Sequence, residues 1–314
     1  MTPLCTARSN TATAEAPPVT APSRLEFKKL DLADKPLFDG LLNRFPQRVA
    51  GYTFAELYSW NSVYDYEWRQ AKDGTVFIRC TPESEDGRHF LQPLGPFGVE
   101  AQKCLLDEMQ AEDKPMKIYG VGQEFLNTHP DFAARFTLEN DDGLANYLYD
   151  TPKLATLAGK TYAKKRNQIA QARALYEWTA TAITPANIAE CLAIMENTEQ
   201  GHNWGSEKPA VFTAFRNFAA LGLKGVLLHA GGKPIAFSVY EKLTPDTAVV
   251  LFEKACDNYK GLYQVINQET AQRIAAEGFP FINREEDMGL PGLRHAKLSY
   301  YPIETIPAFT LIPR

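Results

Sequence analysis

No window of this 314-residue chain comes near the roughly 18 unbroken apolar positions that a membrane-spanning helix needs. Cysteine is sparse and unpaired in pattern. Cys5, Cys80, Cys104, Cys191 and Cys256 are odd in number and widely spaced, with no Cys-x-x-Cys pair. That excludes a disulfide framework or zinc ribbon and fits a reducing cytoplasm. The five histidines, His89, His129, His202, His229 and His295, are equally scattered, and no His-Glu-x-x-His, Gly-x-Ser-x-Gly or Walker loop occurs. Zinc proteases, serine hydrolases and P-loop enzymes are thereby excluded. No set of metal ligands is expected. Residues 1–24, rich in Thr, Ala and Pro, lack the apolar stretch of an export signal and read as a disordered tail.

What is present belongs to a globular protein, with 45% hydrophobic and 23% charged residues over a length sufficient for two ordinary domains. Charge is unevenly shared. Residues 1–150 hold 15 Lys and Arg against 23 Asp and Glu, whereas residues 151–314 hold 18 against 15. An anionic partner would therefore meet the second half.

A succession of elements occurs twice. Tyr66–Arg69 and Val76–Arg79 flank Asp73-Gly74, and Val226–Leu228 and Ile235–Tyr240 flank Gly231-Gly232, so two tight hairpins are expected, 158 residues apart (73 to 231). Each is followed by a third strand (Phe90–Leu94; Ala248–Phe252), a helix, and a further strand opening at Met116 or Phe279, 163 residues apart. The near-equal offsets predict two copies of one mixed α/β fold, residues 25–150 and 151–314, and direct attention to whatever one copy has and the other lacks.

The second copy carries three such features. Lys160, Lys164, Lys165, Arg166 and Asn167 open a helix whose apolar positions Tyr162, Ile169 and Tyr176 recur every seven residues. Its basic stripe is read either as a solvated face or as a site for phosphates from a nucleotide, a tRNA end or a lipid headgroup. Next, the segment Asp257–Tyr263, with Lys260, Gly261 and Tyr263, leads from the third strand into a helix whose N-terminal amides and dipole would attract an anion. The alternative is an ordinary helix start. Finally, the apolar strand at Phe281-Ile282 ends in Asn283-Arg284-Glu285-Glu286-Asp287. Polar groups at a strand's carboxyl end sit where open α/β sheets bind ligands. This cluster is read as a salt-bridged loop or as a site for an amino group, with one carboxylate as holder or base. The first copy has only Lys117-Ile118-Tyr119-Gly120-Val121-Gly122 in the corresponding place.

The element order, with a helix entered through a glycine turn, is similar to the acyl-CoA N-acyltransferase fold, although that fold usually has two or more glycines where this chain has Gly261 alone. More specifically, Tyr162–Asn167, Ile235–Phe237, Phe252–Ala255, Gly261–Glu269 and Asn283–Asp287 through Leu293–Tyr300, with Tyr52–Phe54 to Trp60 and Pro93–Gly95, resemble stand-alone relatives of the phosphatidylglycerol lysyltransferase C-terminal domain. The resemblance implies tandem acyltransferase-like domains similar to those of the Fem peptidyltransferases. Its implied chemistry is transfer of an aminoacyl group from tRNA, with no further cofactor required. Acyl-CoA, in an N-acetyltransferase, is the alternative donor, and a non-catalytic tandem module binding a ligand or nucleic acid is the other class. The full lysyltransferase has a membrane region that these residues lack. A small-molecule acceptor, or a lipid met by transient membrane contact, is therefore expected. The reactive centre is expected between Glu253 on the third strand and Glu285 and Glu286. Lys297 and Tyr300, on one face of a following helix, are expected to orient them.

Overall fold

The computed structural model describes residues 26–81, 87–198, 205 and 207–314. Fourteen strands are described. The first thirteen in chain order are β1 (Lys28–Lys29), β2 (Glu67–Gln70), β3 (Val76–Cys80), β4 (His89–Leu91), β5 (Ile118–Gly122), β6 (Phe136–Asn140), β7 (Asn146–Asp150), β8 (Thr179–Ala182), β9 (Lys224–Ala230), β10 (Lys233–Lys242), β11 (Thr247–Ala255), β12 (Phe281–Asn283) and β13 (Glu304–Ile306). The last is β14 (Ala308–Pro313). They form two mixed seven-stranded sheets, ordered β1-β2-β3-β4-β5-β14-β6 and β8-β9-β10-β11-β12-β7-β13. Position by position the pairings match: three antiparallel, one parallel (β4 with β5; β11 with β12), then two antiparallel.

The sheets do not divide where the expected boundary does. β7, placed by sequence in the first half, pairs with β12 and β13 in the second sheet, and the C-terminal β14 pairs with β5 and β6 in the first. The two copies have thus exchanged their last strands, each of which lies in the interior of the other copy's sheet.

Both turns close hairpins at equivalent places. Gly231 and Gly232, at φ 56 and 76, form a two-residue connection between Ala230 and Lys233, the left-handed pair a tight hairpin demands. The Asp73-Gly74 connection is wider than expected, running from Gln70 to Val76. The cause is Asp73, whose carboxylate accepts from the amides of Thr75 (3.0 Å) and Gly98 (3.1 Å), tying the hairpin to the loop before the next helix.

Alternation along the strands builds the layers. Val76, Ile78 and Cys80 of β3 and Val249 and Leu251 of β11 join one apolar core shared by both sheets, together with Phe54 and Leu57 of the Phe54–Tyr64 helix and Val211 and Phe215 of the Glu207–Arg216 helix. Phe77 faces outward to the Val99–Gln110 helix, and Ala248 and Val250 face the Leu262–Ala276 helix. Both faces of β11 are buried, as its nearly uniform apolarity requires. Among the described residues no helix is long and apolar enough to cross a membrane.

Candidate active site

The second sheet opens beside the one parallel pair among its described strands. β12 stays in register with β11 only from Phe281 to Asn283, opposite Thr247 to Val249. Beyond that the chain turns away while β11 runs on to Ala255, leaving Glu253 facing a gap. Glu285, at φ 56, is held in the left-handed region that non-glycine residues rarely adopt. Its amide donates to Asn283 Oδ1 at 2.7 Å.

The gap is filled by charge. Arg284 Nη2 donates to Glu253 Oε1 at 2.9 Å, with the two side chains only 16% and 11% exposed. The buried Asn267, its amide oxygen turned to the guanidinium, accepts from the same Nη2 at 3.1 Å. The guanidinium also lies 5.6 Å from the centre of the Tyr300 ring, and Lys165 Nζ lies 3.9 Å from that ring while donating to Ser299 Oγ at 2.7 Å. Two polar atoms here are buried without a hydrogen-bond partner: Glu253 Oε2 and the Tyr300 hydroxyl. Burial pushes the Glu253 carboxyl up against the opposing pull of Arg284, and pushes the Lys165 ammonium down to about 8, helped by Arg284 and Lys164.

A second group of carboxylates adjoins the first. Glu285 and Glu286 are joined by Glu56, which the Phe54–Tyr64 helix projects from the first half of the chain. Burial raises all three carboxyls. Glu56 and Glu286 reinforce the shift at Glu285, and Glu286 and Glu241 do so at Glu56. Glu56 Oε2 is buried without a partner. The counter-charge is Lys297, whose Nζ donates to the carbonyls of Arg284 and Glu286. Burial lowers its ammonium to about 8 despite the nearby carboxylates. Glu286 accepts from Asn146 Nδ2 at 3.3 Å.

The remaining expected residues divide into scaffold and surface. Asn283, fully buried, donates to the Arg48 carbonyl and to Asn146 Oδ1, both at 3.1 Å, and so stitches the two halves together beneath the carboxylates. Asp287 is equally buried, and its oxygens are filled: Arg294 Nε (2.7 Å) and Nη2 (3.0 Å), the Tyr147 hydroxyl (2.6 Å) and the Gly289 amide (2.8 Å) all donate to it. These bonds, Arg294 first, hold its carboxyl down at about 2. A substrate-binding role for Asp287 is replaced by that of a loop anchor. Tyr300 lies past the end of the Pro291–Leu298 helix and not on it. It turns toward Lys165 instead, because the helix ends at Leu298 and the chain dips back into the core, where Tyr300 is 5% exposed.

In the basic helix, Ala163–Leu175, Lys165 is the one basic side chain that is buried, beside Ile169 and Ala172. Lys160, Lys164 and Asn167 are exposed, and Arg166 donates to the carbonyls of Leu157 and Gly159, closing the loop before the helix. The Lys260–Gly261 turn is packed against this helix. A Cβ at Gly261 (φ +79) would stand 2.9 Å from the Gln168 carbonyl oxygen, and the Tyr176 hydroxyl donates to the Lys260 carbonyl at 3.1 Å. Tyr263, one turn on, is 40% exposed, and burial together with Glu253 pushes its hydroxyl up to about 12.

Sequence reasoning missed Glu56, Asn146, Asn267 and Tyr149, whose hydroxyl donates to the Lys297 carbonyl at 2.9 Å. One signal was available for Glu56: it is the single charged residue in the run Phe-Ala-Glu-Leu-Tyr-Ser-Trp-Asn-Ser-Val-Tyr. Among the described residues the first copy has no counterpart of the charged cleft. Where it would lie, the Tyr52 hydroxyl fills the opening, donating to the carbonyls of Tyr119 and Gly120 and accepting from the Gln92 amide.

Comparison with known proteins places this geometry. A conserved protein of unknown function from Bacteroides thetaiotaomicron VPI-5482 is 32% identical, with a TM-score of 0.84 over 92% of this chain and 99% of that one. L-PGS from Bacillus licheniformis superposes with a TM-score of 0.66 at 13% identity, over 90% and 92% of the two chains. FemX does so with 0.60 at 9% identity, over 92% and 97%. These last two share the fold. An uncharacterised protein of Mycoplasmoides gallisepticum is 30% identical over 164 residues, half of this chain, and the match spans 52% of that relative's length. The family model described as "Phosphatidylglycerol lysyltransferase, C-terminal" matches residues 42–312, which takes in the whole second sheet, all of the first sheet but β1 and the last residue of β14, and every charged group of the cleft, so the chain belongs to that family.

Proposed function

We propose that the cleft of the second sheet transfers an aminoacyl group from aminoacyl-tRNA to a lipid or small-molecule acceptor. The observation that carries this reading is the pair of buried, unpartnered polar atoms, Glu253 Oε2 and the Tyr300 hydroxyl, on either side of Arg284. Unsatisfied buried groups are costly, at about 1–3 kcal/mol each, and a substrate supplies what they lack. In the proposed reaction the acceptor's hydroxyl or amine attacks the ester carbonyl, and the bond to the terminal ribose oxygen of tRNA breaks. Glu253 takes the acceptor's proton and returns it to the departing ribose oxygen. Arg284 keeps Glu253 oriented and, with Lys165, brings positive charge to the oxyanion that forms at the carbonyl. Glu285, Glu286 and Glu56 hold the ammonium group of the aminoacyl moiety, and Lys297 limits their mutual repulsion. Since the ester is already activated, positioning and charge suffice. Phosphates of donor or acceptor are assigned to the exposed Lys160 and Lys164.

The close packing of the basic helix on the Lys260–Gly261 turn favours this donor over acyl-CoA, whose pyrophosphate would need that turn open. The test is release of label from charged tRNA in the presence of lipid or small-molecule acceptors. Glu253→Gln is expected to slow transfer about 10²–10⁴-fold while leaving the fold intact. Full activity in Glu253→Gln, Glu285→Gln, Glu286→Gln and Lys297→Met alike would refute the placement. Turnover of acyl-CoA in place of charged tRNA would refute the donor.

A further inference from the structure

Large apolar side chains are exposed in one stretch of this chain far more than elsewhere. Six of the eleven that stand out in the described residues fall between Met288 and Ile303: Met288 (68%), Leu290 (55%), Leu293, Leu298 (49%), Tyr301 (52%) and Ile303 (47%). Two of them are held outward at a conformational cost, since Met288 and Tyr301 have φ of 53 and 54, a region that non-glycine residues seldom occupy. A solvated loop would gain nothing from either feature. The stretch is also the reverse side of the candidate active site: the Pro291–Leu298 helix sends Lys297 inward to the carbonyls of Arg284 and Glu286 and keeps Leu298 outside.

Basic groups border it. The Tyr301 ring meets the Tyr162 ring edge-on at 5.6 Å, and the Tyr162 hydroxyl donates to the Tyr300 carbonyl, so the turn carrying exposed Lys160 and Lys164 is fixed beside the apolar run. Of the nearby carboxylates, Asp287 is bound to Arg294 and Glu304 to Arg48 through both oxygens, while the exposed Asp141 and Asp142 stand at the far end of the run from the lysines, where Gly143 packs against Gly289. Exposed apolar side chains beside uncompensated lysines match the layered chemistry of an anionic lipid surface, with hydrocarbon below and phosphate above.

We propose that this face seats the protein on an anionic lipid surface, the apolar side chains entering the headgroup region and Lys160 and Lys164 meeting the phosphates. Docking in this way brings the cleft to the bilayer. It names a lipid as the acceptor only insofar as the transfer reading above holds, whereas the docking itself rests on the surface alone.

The experiment is co-sedimentation of the full chain with vesicles of phosphatidylcholine alone or mixed with phosphatidylglycerol, at low and high salt. The expected result is binding to the mixed vesicles that weakens with salt. Leu298→Glu with Ile303→Glu should abolish it, and Lys160→Gln and Lys164→Gln should each weaken it about fivefold. Circular dichroism of each variant verifies the fold, and Lys160→Gln, remote from the core, keeps the test valid if the apolar variants fail to fold. Absence of binding would overturn the inference, as would equal binding to both vesicles or binding indifferent to all four substitutions. Capture of tRNA but not vesicles by Lys160 and Lys164, or a dimer that Leu298→Glu dissociates, would overturn it too. Absence of vesicle binding by the unsubstituted protein, with transfer to a soluble acceptor intact, would sink the docking alone. Loss of transfer in Glu253→Gln with vesicle binding intact would bear on the transfer reading alone.

Discussion

Replacing Asp287 with Asn tests whether the loop carrying Glu285 and Glu286 is anchored as described. The carboxylate accepts four hydrogen bonds, two on each oxygen: Arg294 Nη2 and the Gly289 amide on Oδ1, Arg294 Nε and the Tyr147 hydroxyl on Oδ2. An amide leaves one of these pairs facing an NH₂ group. The Tyr147 hydroxyl can rotate to accept, but an Arg294 N–H cannot. Two routes to the magnitude agree. Removing one partner of a buried ion pair costs about 3–5 kcal/mol, reduced here because Arg294, 40% exposed, regains water. Independently, a carboxyl held at about 2 in place of 3.8 corresponds to about 2.4 kcal/mol. We expect a loss of about 2–3 kcal/mol at neutral pH, read as a lowered urea midpoint with an unchanged slope. Because the folded value is depressed, this stabilisation is fully present above about pH 4 and disappears as pH falls through about 2. The gap between parent and variant must shrink over that window. A loss below about 1 kcal/mol at neutral pH, or a gap that stays constant on acidification, would refute the anchoring role.

Glu56→Gln is expected to act in the opposite sense with pH. Burial, Glu286 and Glu241 raise the folded value of Glu56 above 4.5, so the native state keeps a proton that the unfolded chain has released, and parent stability falls as pH rises through that interval. The variant should therefore gain on the parent as pH rises above about 4.5 in thermal melts, and a pH-independent difference would contradict the carboxylate cluster. Gly261→Ala combines φ +79 with a Cβ 2.9 Å from the Gln168 oxygen, whereas Gly232→Ala has φ +76 and open space. The first should cost about 1 kcal/mol more than the second, whose own cost is about 1–2 kcal/mol, and equal losses would deny the close approach. Expressed separately, residues 26–150 and 151–314 each lack an interior strand, so neither should show a cooperative unfolding transition. Two cooperative melts would show that the strand exchange is dispensable.

Local chemistry was legible in the sequence to different depths. Hairpin turns and apolar alternation are properties of neighbours, and β9, β10 and β11 each contain the expected strand and run beyond it at both ends, with β10 irregular at Pro234/Ala236 and Val239/Tyr240. The cluster at Asn283–Asp287 was visible because three adjacent carboxylates after an apolar strand need a reason to stay together. Which of them face the cleft was not visible. Asp287 and Glu286 differ only in what lies across space, Arg294 and Tyr147 for one and Asn146 for the other. Lys165 and Lys164 are chemically identical neighbours in one basic run, and a rotation of about 100° per residue decides which is buried against Tyr300 and which meets solvent.

Least legible was the reciprocal exchange of β7 and β14. A strand's sequence specifies its two faces but not the sheet it joins, and both strands read equally well in either half. Yet the exchange decides how the cleft is built. Bringing β7 into the second sheet sets Asn146 beside Asn283, and Asn146 Oδ1 accepts from the Ala50 amide at 2.7 Å. That bond ties the segment leading into the Phe54–Tyr64 helix to the rim of the second sheet. Glu56 on that helix is thereby set near Glu285 and Glu286. The acidic part of the site is a joint product of two copies, only one of which carries the motif.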